Sequence, residues 1–155
     1  MAVQSQLLGR ADGNTNYSTQ PIAVASGVTV TKGDFVYFAS GFLSSASVLG
    51  KKLIGMALET ATGNAAGTVK ALVCVDPTMR YLIDGDEIGQ ALGTSLRGTY
   101  FDIDGATGAQ LIDTSSTTTA AQFLLLENNP QVDPVRTDTS VGTYVIAEHY
   151  FYPAQ

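Results

Sequence analysis

The chain has 155 residues, and its eight Lys and Arg stand against fourteen Asp and Glu for a net charge of -6. Charged residues make up 14%, where about 25% is ordinary for a globular protein. No apolar run approaches the roughly 20 residues of a spanning helix, the single Cys74 excludes an intrachain disulfide and a cysteine-based zinc cluster, and the scatter of few cations argues against nucleic acid as a partner.

The length fits one domain, with a core large enough to fold without metal or disulfide. The start lacks a basic leader followed by an apolar core, so no secretory signal is expected. Residues 1–20 are polar around one Leu7-Leu8 pair, with Asp12-Gly13-Asn14 as a turn. Such a segment buries too little apolar area to order itself. It reads as an extended N-terminal arm, frayed or ordered on a partner, ahead of a single β domain over 21–155.

From Pro21 the pattern turns to β. Val28 and Val30 alternate with Thr29 and Thr31, Lys32-Gly33-Asp34 makes a turn, and Phe35 to Phe38 is a strand apolar on both faces. A strand follows at Leu53 to Leu58, then a turn over Thr62 to Gly67. In the next strand, Thr68 to Val75, the residues Val69, Ala71, Val73 and Val75 share one face. Asp76-Pro77 stops it, because proline has no N–H for the ladder.

The second half keeps this rhythm. Tyr81-Leu82-Ile83 ends at Asp84-Gly85-Asp86, and Glu87 to Leu92 suits a short helical turn. Thr99 to Ile103 leads into the turn Asp104 to Gly108, Gln110 to Asp113 returns, and Asp113 to Thr119 reads as a polar loop. Gln122 to Glu127 is a strand, 130–142 is an irregular loop, and Thr143 to Tyr152 is the last strand. No longer stretch carries a helical period. The fold class expected is all-β, a small sandwich or barrel of short antiparallel strands with an extended N-terminal arm. There is also an internal echo. Lys32-Gly33 precedes the strand at Phe35 and Arg97-Gly98 precedes the strand at Tyr100, each followed by a Gly-bearing turn and a return strand, as two related sheets would produce.

No catalytic constellation emerges. His149, the only imidazole, sits in an apolar strand pattern, and there is no Gly-x-Ser-x-Gly elbow. Asp102, Asp104, Gly105 and Thr107 open like a calcium loop, but the twelfth position is Asp113 where a bidentate Glu is needed. Asp and Gly at such turns serve the backbone alone. Phosphate-cradling glycine loops are absent, and Cys74 reads as a small buried apolar group. The expectation is a non-enzyme with no cofactor and no metal. Tyr144, Tyr150, Phe151 and Tyr152 suit either a domain core or an interface.

The segment Val28 to Tyr37, with Gly33-Asp34 opening a strand, then Ile54-Gly55-Met56-Ala57-Leu58 and Gly67-Thr68-Val69-Lys70-Ala71, resembles the capsid cement (head decoration) proteins of tailed bacteriophages. The similarity covers about Pro21 to Val75. It implies a structural virion protein, made in the bacterial cytoplasm and bound to the outer capsid surface, where it bridges neighbouring major capsid protein subunits. Self-association as a trimer or dimer is implied too, with no nucleic acid or membrane partner. Two contact elements are expected. One is the arm, with Gln4, Gln6, Leu7, Leu8, Asn14, Asn16 and Tyr17; the other is the loop over 128–142, with Pro130, Val132 and Pro134. Tyr150 and Tyr152 join them from the last strand. The alternative is a carbohydrate- or host-surface-binding β-module of a fibre or tail, presenting Tyr100, Tyr150 or Tyr152 beside Asp102 and Asp104.

Overall fold

Alternating apolar residues between glycine-bearing turns build strands here, and the strands build two sheets. The computed structural model describes residues 5–10, 16–46, 51–86, 96–117, 122–128 and 141–147. In chain order these form β1 (Gln6–Arg10), β2 (Thr19–Ala23), β3 (Thr29–Val30), β4 (Phe35–Ala39), β5 (Phe42–Ser45), β6 (Leu53–Ala57) and β7 (Ala61–Thr62). Then come β8 (Lys70–Cys74), β9 (Met79–Ile83), β10 (Tyr100–Asp104), β11 (Leu111–Thr117), β12 (Phe123–Asn128) and β13 (Gly142–Ile146). No α-helix occurs among the described residues. The helical turn expected over 87–92 lies outside them.

One sheet has the order β2-β8-β6-β4-β5 and the other β1-β9-β13-β12-β10-β11, with a short β3-β7 ribbon besides. All strand pairs are antiparallel. Setting β1 aside, the two sheets are the same object. Each takes five strands in chain order and arranges them first-fifth-fourth-second-third. Each then closes on itself through a parallel bridge from just beyond its first strand to its third, Val24 to Leu43 in one and Gly85 to Ile112 in the other.

The match reaches single hydrogen bonds. Gly33 N–H donates to the Ala57 carbonyl at 2.8 Å and Ala57 N–H to the Asp34 carbonyl at 2.8 Å. In the second unit Gly98 N–H donates to the Leu125 carbonyl at 2.8 Å and Leu125 N–H to the Thr99 carbonyl at 3.0 Å. The echo between Lys32-Gly33 and Arg97-Gly98 is therefore a structural repeat, β2–β8 followed by β9–β13.

Period two divides the side chains. In the first unit Val36, Leu43, Ile54, Ala57, Ala71 and Val73 turn inward and, with Val24 and Val30, make a core of their own. The opposite face, with Phe35, Leu53, Met56 and Cys74, packs against the concave face of the second unit. There Met79, Tyr81, Ile83, Phe101, Ile103, Phe123, Leu125, Tyr144 and Ile146 complete the larger core. Cys74 is fully buried within it, and burial pushes its thiol up from the usual value.

Two expectations change. The arm is annealed to the second sheet. Its residues Gln6–Arg10 pair with β9 as β1, and Leu7 packs on the main core, while the register shift after Leu7 leaves Leu8 outside at 40% exposure. The polar loop expected from Asp113 is strand as far as Thr117, because β11 is an outer strand where Ser and Thr need no second apolar layer.

Each unit protects its first strand differently. β1 covers β9 in the second. In the first, Ser18 C=O accepts from Val75 N–H at 2.9 Å and Val24 N–H donates to Val69 C=O at 2.9 Å. Between these, alternation turns Pro21 outward, where a missing N–H blunts the edge against further pairing.

Gly55 marks the tightest packing. Its φ is +156°, and a Cβ there would stand 1.7 Å from the Cys74 carbonyl oxygen. Gly55→Ala is expected to cost about 3 kcal/mol or more, read as a fall in the urea midpoint at unchanged slope.

Candidate interaction surface

The turn that opens β4 is where the two units are joined. The Asp34 carboxylate, 2% exposed, accepts from Thr31 N–H at 2.8 Å, from Gly108 N–H at 2.7 Å and from the Thr107 hydroxyl. Thr107 and Gly108 belong to the turn between β10 and β11 of the other unit. Gln110 continues the clasp. Its Oε1 accepts from Phe35 N–H at 2.6 Å, and its Nε2 donates to the Phe35 carbonyl at 3.2 Å and to Ser45 Oγ at 2.8 Å. Gln122 adds a second tie, accepting from Ile103 N–H at 2.9 Å and donating to the Lys51 carbonyl at 3.0 Å. The Phe35 ring then inserts edge-on between Tyr81 and Phe123, with centroids 5.0 Å and 4.7 Å away.

These polar groups act on structure. Asp104, expected in a calcium-like turn, is exposed and accepts Gly105 N–H at 2.7 Å, whereas Asp102 is buried. Asp86 accepts from Thr114 N–H at 2.9 Å and its hydroxyl at 2.8 Å, so the second acidic turn anchors β11. Among the described residues no group of three or more His, Cys, Asp or Glu side chains could hold a metal, and no helix is long and apolar enough to cross a membrane. His149 lies outside them. Ser45 Oγ, 3.4 Å from Asp34, is engaged by Gln110 and is part of the clasp.

The sequence-predicted contact residues are partly brought together. Gln6, Leu7 and Tyr17 line one groove of about 430 Å³ with Lys32, Met56 and Leu58 from the first unit. Tyr17 is 38% exposed at its rim. Asn16 is exposed next to Tyr17, and Leu8 points away on the outer side of β1. Gln4, Asn14, Pro130, Val132, Pro134, Tyr150 and Tyr152 lie outside the described residues. A second groove of about 500 Å³ runs between Val28, Thr29, Ser44 and Ser45 on one side and Asp104, Ala106 and Thr107 on the other.

Of the other aromatic residues, Tyr144 is core, fully buried with its phenol raised by burial and by nearby Asp84. Tyr100, beside the buried Phe101, is 42% exposed. Alternation allows only one of that pair to face inward, and Phe101 takes the place. The surface the sequence missed runs from Tyr100 over β12, where Phe123-Leu124-Leu125-Leu126 is apolar on both faces. A strand apolar on both faces at a sheet that covers only one of them is the signal that points to it.

No family model matches the chain, and no curated protein or solved structure matches it either.

The β8–β9 turn joins the units a second time and ties in β1. Asp76 Oδ1 accepts from Thr78 N–H at 2.9 Å and Oγ–H at 2.7 Å, and Asp76 Oδ2 is 3.5 Å from Arg10. Burial alone pushes this carboxyl up, but the Thr78 bonds and the Arg10 guanidinium outweigh it and hold it below the usual value. Its contribution to stability is complete above the unfolded value of about 3.9 and is lost as pH falls from there through the lower folded value. Urea unfolding across an acid pH series checks this. Asp76→Asn is expected to flatten that part of the profile relative to the unsubstituted chain.

Proposed function

We propose that this is a structural virion protein of a tailed phage that binds the outer capsid surface and stabilises the head by bridging neighbouring major capsid protein subunits. It acts by contact, without catalysis. The observation that carries the reading is the place of the resembling residues in the fold. Val28 to Tyr37, Ile54 to Leu58 and Gly67 to Ala71 contribute to β4, β6 and β8, the three central strands of the first unit's sheet, and their Gly33-Asp34 turn is the clasp between units. The residues behind the resemblance are thus those on which the architecture depends.

Composition supports the same reading, since a surface poor in charge is cheaply desolvated by neighbours. So does the arm, which exposes Leu8 on a strand held in place by β9 and Tyr17 just ahead of β2. A standard interface buries about 1,600 Å², and many copies on one shell convert modest contacts into high avidity.

Removing the whole arm would also remove β1, so point variants are the cleaner probe. Purified protein is sedimented with expanded heads that lack decoration, taken from candidate phages. Saturable binding at a fixed copy number is expected, and Leu8→Ala with Tyr17→Ala should weaken it tenfold or more while leaving the unfolding midpoint nearly unchanged. No co-sedimentation with any head, together with a signal on a glycan array, would replace this reading with a host-surface-binding module.

A further inference from the structure

The repeat identifies a docking face. In the first unit Phe35 pairs directly with Met56, and Met56 with Cys74, so the three form a row across β4, β6 and β8 on the outer side of the sheet. That row is apolar and almost completely buried, at 0%, 4% and 0% exposure. What covers it is the other unit of the same chain.

The second unit carries the equivalent row. Tyr100 pairs directly with Leu124, and Leu124 with Val145, across β10, β12 and β13. The row is again apolar, and here it lies on the outside. Tyr100 is 42% exposed and Leu126, further along β12, is 38% exposed, while Leu124 and Val145 are half-buried. At its margin Arg97 and Glu127 form an exposed ion pair at 3.7 Å. An apolar centre with a polar rim is the composition of a protein interface.

We infer that the Tyr100–Leu124–Val145 row is a self-association surface whose occupant is a second copy of this chain. A like unit of this chain is what the fold itself lays over such a row. Both concave faces are already filled, the first by its own valine core and the second by Phe35. A second copy therefore has the same row left to offer. Row against row is a two-fold, self-complementary contact, the commonest form of closed assembly. Tyr100 suits its centre, supplying large area at little entropic cost. The inference concerns the free protein and holds whether or not the capsid reading does.

Sedimentation equilibrium over a wide concentration range tests it. The unsubstituted chain is expected to be a dimer that dissociates on dilution, and Tyr100→Glu or Leu126→Glu should weaken the association tenfold or more. Phe42→Glu is the control, equally exposed at 40% but on the β4–β5 hairpin of the first unit, and should change nothing. Should the charged variants fail to fold, hydrogen exchange of the unsubstituted chain at high and low concentration answers instead. Amides over 100–104 and 123–127 should be the ones that slow as concentration rises. A chain monomeric at every concentration would overturn the inference. So would a dimer indifferent to Tyr100→Glu, or a monomer whose binding to heads is what Tyr100→Glu abolishes, since the row would then belong to the coat.

Discussion

The main joint between the two sheets is at Asp34 and Phe35. The backbone of Phe35 is held on both its N–H and its C=O by the Gln110 side chain, and the carboxylate one residue earlier takes donors from Thr107 and Gly108. Held this way, the ring has one place to go, between Tyr81 and Phe123 in the core of the other unit. Buried polar bonds set the register and a buried aromatic supplies the area. Neither would suffice alone, because unsatisfied backbone groups beside a buried ring would cost much of what its burial contributes.

The two units share a topology but differ in what fills them. Val36, Ala57 and Val73 point into the first, sharing its core with Val30. The equivalent positions in the second are Phe101, Leu125 and Tyr144. These larger residues line the core that also takes in Phe35. Thr99 stands at the position equivalent to Asp34, and its turn keeps the same backbone bonds without a carboxylate.

Much of this architecture was legible in the sequence. β4, β6, β8, β10, β12 and β13 declare themselves by period two or by short apolar runs between turn residues, and the shared face of Ala71, Val73 and Val75 follows from period two alone. β1 does not declare itself. Leu7 is buried only because β9, distant in sequence, offers it an edge. Thr114 to Thr117 look like loop because an outer strand can be polar. The candidate surface was legible only in part. Gln6, Leu7 and Tyr17 do line a common groove, but the Tyr100–Leu124–Val145 row exists only once cross-strand register is known. Local pattern says that Tyr100 and Phe101 face opposite ways, and only tertiary packing says which face is covered.

On the proposed reading, the two units supply stability and the outer faces are left for partners. The account rests on Phe35 as the joint between the units. The most direct measurement is equilibrium urea unfolding of Phe35→Ala beside the unsubstituted chain. A loss of about 3–5 kcal/mol is predicted, with hydrogen-exchange protection falling in β9 and β12 as well as in β4. A loss below about 1 kcal/mol, within the range of an ordinary surface change, with protection in β9 and β12 unaltered, would contradict it.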